Sequence, residues 1–135
     1  MRITSTDANS WFEIEQHGDE DYRSFVVRAS VDLGHGHFSG ENIDVHFFLL
    51  REFAADLDRF ILDRQLRPSL KGTYGSSLTF WKGKALNDVL FSFVIGDAFC
   101  GYSVTSEYKV EGTFQIDPET LNSLVVFFKG CHADA

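Results

Sequence analysis

The chain has 135 residues, 44% hydrophobic and 24% charged, with two prolines and eleven glycines. That is the length of one globular domain, and it excludes a second core and a disordered or collagen-like chain. Twelve Lys and Arg against 20 Asp and Glu give a net charge of −8, which argues against nucleic acid or anionic lipid as a partner, because both need a basic patch.

The predicted elements begin with a short strand around Trp11, Phe12 and Ile14. Residues 1–10 and 131–135 read as flexible tails. A polar turn, Gly18-Asp19-Glu20-Asp21, separates the first strand from residues 22–33. There Phe25, Val27, Ala29, Val31 and Leu33 alternate with mostly polar residues, the period of a strand with one wet face. Gly34-His35-Gly36 is a turn. The third strand spans residues 38–48, with Ile43, Val45 and Phe47 on one face and a bulge expected near residues 39–42.

The period then changes. Leu50, Phe53, Ala54, Leu57, Phe60 and Ile61 recur at steps of three and four, so the spacing predicts an amphipathic helix over 50–65, stopped before Pro68. Strands follow at 69–74, 77–82 and 89–95. A fourth begins at Tyr102, and its apolar parity runs through Val104, Ser106, Tyr108 and Val110 to Phe114 and Ile116. Asp117 and Pro118 suit the start of a second helix, Leu121, Leu124, Val125 and Phe128 its buried stripe, and Gly130 its C-terminal cap. The order is β-β-β-α-β-β-β-β-α. Short polar turns between strands imply antiparallel pairing. The expected fold is α+β in a single domain, with one bent antiparallel sheet of six to seven strands and both helices on its apolar face. Fourteen phenylalanines fill that face.

Residues 1–7 lack the apolar core of a signal peptide, and no apolar run reaches the ~18 residues of a membrane span. A cytoplasmic protein with reduced Cys100 and Cys131 is the expectation. Asp32, Asp44 or His46 could complete a zinc site with His35 and His37, but the intervening Gly36 reads as a hairpin turn, so no metal or other cofactor is expected. Neither cysteine has a positioned base, no nucleophile motif stands out, and catalytic residues are not assigned. The acidic stretch is more informative. Asp7, Glu13, Glu15, Asp19, Glu20 and Asp21 occur without an intervening Lys or Arg. Such a run is a solvated face, a docking patch for a basic protein or, as paired carboxylates, a place for acid/base work.

The succession Phe53-x3-Leu57-x2-Phe60, Leu70-Lys71-Gly72 and Leu78-Thr79-Phe80 leads to an alternating strand from Val89 to Ile95. Gly112-x-Phe114-x-Ile116-Asp117 and Leu121-x2-Leu124-x3-Phe128 complete it. This layout resembles the WapI-type immunity proteins and their bacterial relatives, over roughly residues 22 to 129. The resemblance implies a small cytosolic bacterial protein that neutralises a cognate toxin by binding. It supplies no catalytic residues.

The functional expectation is a non-enzymatic protein-binding domain with a basic partner. Glu13, Glu15, Asp19, Glu20 and Asp21 would form the acidic surface, with Trp11 and Trp81 as aromatic anchors. The alternative is a small-ligand module whose pocket, between sheet and helices, takes Tyr102, Ser106 and Tyr108. Uncovered strand edges also leave self-association open.

Overall fold

The computed structural model describes residues 1–18, 23–85 and 87–133, with residues 132 and 133 as backbone only. Among them the chain is α+β, with two antiparallel sheets and two helices. Strands β1 (Arg2–Thr4), β2 (Trp11–Gly18), β3 (Arg23–Asp32) and β4 (His37–Val45) form one sheet in that order. Strand β5 (Phe47–Phe48) is followed by helix α1 (Leu50–Leu62). It then pairs with β6 (Ser69–Gly72), and β7 (Ser77–Lys82), β8 (Val89–Cys100) and β9 (Thr105–Ile116) complete the second sheet. Helix α2 (Thr120–Ala133) ends the described chain.

The single expected sheet is therefore two. The third predicted strand breaks at His46, where the chain leaves one sheet for the other. The His46 N–H donates to the Thr73 hydroxyl (3.1 Å), and the Thr73 N–H donates to the His46 carbonyl (2.9 Å). The break also corrects the expected shared face of Ile43, Val45 and Phe47. Between Phe25↔Val45 and Val27↔Asn42 the register shifts by one residue. This bulge turns Asn42 inward and leaves Ile43 exposed.

Residues 1–10 are not a tail in this structure. Thr4 pairs with Trp11, Ile3 is fully buried, and the Thr6 N–H donates to the Gln115 carbonyl (2.8 Å). Helix α1 stops at Leu62, three residues before the expected end, where the extended Asp63 donates its N–H to the Arg59 carbonyl. Helix α2 starts later and runs further than expected. Thr120 N–H closes a turn on the Asp117 carbonyl, and Gly130 lies inside the helix, with Cys131 buried beyond it. Residues 134 and 135 of the expected C-terminal tail, like Asp19, Glu20 and Asp21 of the polar turn, lie outside the described residues.

The core is an aromatic cluster built by strand alternation. Phe12 from the first sheet meets Phe91 and Phe93 from the second, each at 5.3 Å between ring centroids. Phe91 also meets Phe80 (4.9 Å) and Phe114 (5.4 Å). The helices close the cluster through Phe53, which stands edge-on to Phe128 at 5.0 Å and contacts Phe80. Each such pair adds roughly 0.5–1.5 kcal/mol beyond its buried area.

Candidate functional site

Strand β8 outlasts its neighbour β7. Their pairing stops at Ser77↔Val94, while β8 continues to Cys100 opposite β9. At the point of departure, side chains replace the missing strand. The Gly96 N–H donates to the Ser76 hydroxyl (3.2 Å), and the Gly96 carbonyl accepts from the Asn42 amide (2.6 Å). A Cβ on Gly96 would lie 2.0 Å from the Tyr74 carbonyl oxygen, so only glycine fits there. The strand predicted over 89–95, with Gly96 as its end, runs on to Cys100. The glycine serves close approach instead, and the turn falls at Gly101, whose N–H bonds the Val104 carbonyl (2.7 Å).

Beyond Gly96 the β8–β9 hairpin becomes a two-stranded arm. Two further contacts fix its root to β4. Gly40 packs against Val110 so closely that a Cβ would meet it at 2.8 Å, and the Tyr108 hydroxyl donates to the Glu41 carbonyl. Partial desolvation, then the nearby Asp97 carboxylate, raise the Tyr108 phenol above its ordinary pKa.

The arm is rich in apolar side chains that stand wholly or partly exposed among the described residues. Phe99 is 65% exposed, Val104 57% and Tyr108 43%, and Tyr102 at the turn is fully exposed. An open groove of about 390 Å³ runs along Asp97, Ala98, Phe99, Ser106, Glu107 and Tyr108. Phe38 on β4 is also exposed and lines a second hollow with Val110. Clustered exposed apolar groups rimmed by polar ones mark interaction surfaces in soluble proteins. The rim is acidic. Between Ile95 and Glu111 the carboxylates of Asp97, Glu107 and Glu111 stand against one ammonium, Lys109.

Tyr102, Ser106 and Tyr108 thus do not line an interior pocket under the helices. All three are exposed on the arm. Ser106, Tyr108 and Val110 continue the parity of Phe114 and Ile116 along β9, while Tyr102 lies in the turn before it. What the parity could not reveal is that the facing sheet ends at β4.

The expected acidic site is only partly assembled. Trp11, Glu13 and Glu15 share the outward face of β2. Trp11 stacks beneath the Arg2 guanidinium (4.4 Å), and Glu13 is ion-paired to the same Arg2 (2.7 Å). Trp81 sits on the outward face of the other sheet, with Arg67 over its ring (4.6 Å). The two tryptophans therefore do not share a surface, and each is already stacked. Asp19, Glu20 and Asp21 lie outside the described residues. His35 is exposed at its turn, and His37 shares a hydrogen bond with Ser30 (3.1 Å). Phe38, Asp97, Phe99 and Glu107 line the arm's groove and the second hollow and are not among the residues that the sequence singles out. The available signal was Tyr102 and Val104 inside a glycine-bearing turn, where apolar residues have no core to enter.

A cleft of about 430 Å³ lies between the β1–β2 loop and β9. Its polar groups are committed to local structure. Asp7 accepts from the Ser5 hydroxyl (2.6 Å) and the Asn9 N–H (3.0 Å), and the Ser10 hydroxyl accepts from the Asp32 N–H (3.1 Å). These bonds, the Ser5 hydroxyl foremost, hold the Asp7 carboxyl below its ordinary value of 3.8.

Comparison with protein-family models, curated proteins and solved structures returned no match. Among the described residues no helix is long and apolar enough to cross a membrane.

Proposed function

We infer that this protein is a non-enzymatic binding domain whose β8–β9 arm engages a basic protein partner. The observation that carries the reading is the arm itself. It leaves the core at Gly96 and exposes Phe99, Tyr102, Val104 and Tyr108. Burial of such side chains supplies affinity, and the aromatic ones suit hot spots. The acidic rim and the net charge of −8 supply steering toward a basic surface. The layout resembling WapI-type immunity proteins suggests that the partner is a cognate toxin held inactive by occlusion in the cytoplasm.

The test is retention from native lysate of a tagged chain against a Phe99→Ser, Tyr102→Ser, Val104→Ser variant, at low and high salt. The reading expects one basic protein on the native chain, released by salt and lost with the variant. Equal retention by both chains would remove the arm from the interface.

A further inference from the structure

We propose that the partner binds by adding an extended, basic segment to the open edge of β8 at residues 97–100, continuing the second sheet past the end of β7. The proposal rests on the binding role inferred above and specifies its mode.

Strand geometry places the edge. In an antiparallel pair, alternate residues direct their N–H and C=O toward the partner strand. Gly101 bonds Val104 across the turn, so residues 99 and 97 face β9. Gly96 faces the other way, as its bonds to Ser76 and Asn42 show. Ala98 and Cys100 follow Gly96 in phase and direct their backbone groups to the side that β7 has vacated. Among the described residues no strand pairs with them there. The Ala98 N–H is held at 2.8 Å by the carboxylate of its own neighbour, Asp97.

An unpaired edge is a template for strand addition. Natural edges are commonly blunted by charged side chains, lysine above all, by proline or by a covering element, and the one charge at this edge is the Asp97 carboxylate, opposite in sign to lysine. Here residues 97–100 read Asp-Ala-Phe-Cys. The local carboxylates choose the occupant. An incoming strand takes over the Ala98 N–H and frees the Asp97 carboxylate for a lysine or arginine of the newcomer. A second copy of this chain brings its own charge of −8 and meets repulsion instead.

The experiment titrates the isotope-labelled full chain with an alternating lysine–valine peptide of about ten residues, the period of a strand with one basic face. Amide exchange is followed by NMR, with Cys100→Pro and Cys100→Ser as paired variants. Proline removes the edge N–H at a position where an edge strand tolerates it, and serine keeps it. The proposal expects slowed exchange at Ala98 and Cys100, binding weakened about tenfold by Cys100→Pro, and binding kept by Cys100→Ser. Core amide dispersion in each variant verifies folding. Shifts at Phe99 and Tyr102 with unchanged exchange at Ala98 and Cys100, and equal binding by both variants, would overturn strand addition and leave the arm as a surface. No shift anywhere on the arm at millimolar peptide would count against both. Edge protection without peptide, at a dimer's mass, would assign the edge to a second copy and overturn the basic occupant.

Discussion

The amide of Asn42 donates to the carbonyl of Gly96 at 2.6 Å, and both groups are buried. A β-bulge in one sheet thus stands in for a strand missing from the other. The bond marks where the core ends and the arm begins. Asn42→Ala leaves the Gly96 carbonyl without its donor, at a cost of about 1–3 kcal/mol. Urea unfolding checks the loss, and amide exchange in residues 97–108 should quicken more than exchange in Phe91. Equal effects on both would show that the bond has no special relation to the arm.

Gly96 itself tolerates no side chain. Gly96→Ala sets a carbon 2.0 Å from the Tyr74 carbonyl oxygen, and backbone must move. The expected destabilisation is about 1–3 kcal/mol or more. Gly130→Ala is the control. It lies within α2 with nothing within 4 Å of a new Cβ, and should stabilise by roughly 0.5–1 kcal/mol. Opposite shifts of the two denaturation midpoints are the result to look for.

The arm's apolar side chains should be dispensable for folding. Phe99→Ser, Tyr102→Ser and Val104→Ser are each expected to change stability by at most ~0.5 kcal/mol. Phe91→Ala, at the centre of the aromatic cluster, should cost roughly 3–5 kcal/mol. A large loss from the arm variants would mean that the arm is packed in solution and is not a free surface.

Much of this fold was legible because its signals are local. The three- and four-residue steps from Leu50 to Ile61 gave a helix, and the alternation Val89, Phe91, Phe93, Ile95 gave a buried strand face. The misread features depend on what lies opposite. Ile43 has the parity of Val45, and a bulge set by pairing with Phe25 and Val27 puts it outside. Tyr108 and Ser106 carry the same parity as Phe114, yet Phe114 packs into the aromatic cluster, Tyr108 reaches the facing sheet only through its hydroxyl at Glu41, and Ser106 stays exposed. The split at His46 is fixed by Thr73, 27 residues away. Of the site, the sequence showed acidity and surplus aromatics. It did not show that Trp11 and Trp81 are occupied by Arg2 and Arg67.

Asp7 gives a pH dependence of known sign. Its carboxyl titrates lower in the fold than its ordinary 3.8, so its contribution is present above that value and lost as pH falls through the folded pKa. Ser5→Ala removes the largest cause and should move the Asp7 midpoint back toward 3.8, as followed by carboxyl NMR. An unchanged midpoint would show that the Asn9 N–H suffices.

Charge on the arm should govern association rate more than lifetime. Asp97→Lys, Glu107→Lys and Glu111→Lys together should slow association with the retained partner and flatten its salt dependence, with a smaller change in dissociation. Stopped-flow mixing across ionic strength reads both. A rate unchanged by the three reversals would place the steering charge elsewhere, with Glu13 and Glu15 next to be reversed.

The most direct test of the arm as the binding surface is a hydrogen-exchange footprint of the complex recovered from native lysate. Protection concentrated in residues 97–108, with β2 exchanging as in the free chain, is the predicted result. Protection over Trp11, Glu13 and Glu15 with an unprotected arm would contradict it and return the interface to the acidic face of the first sheet.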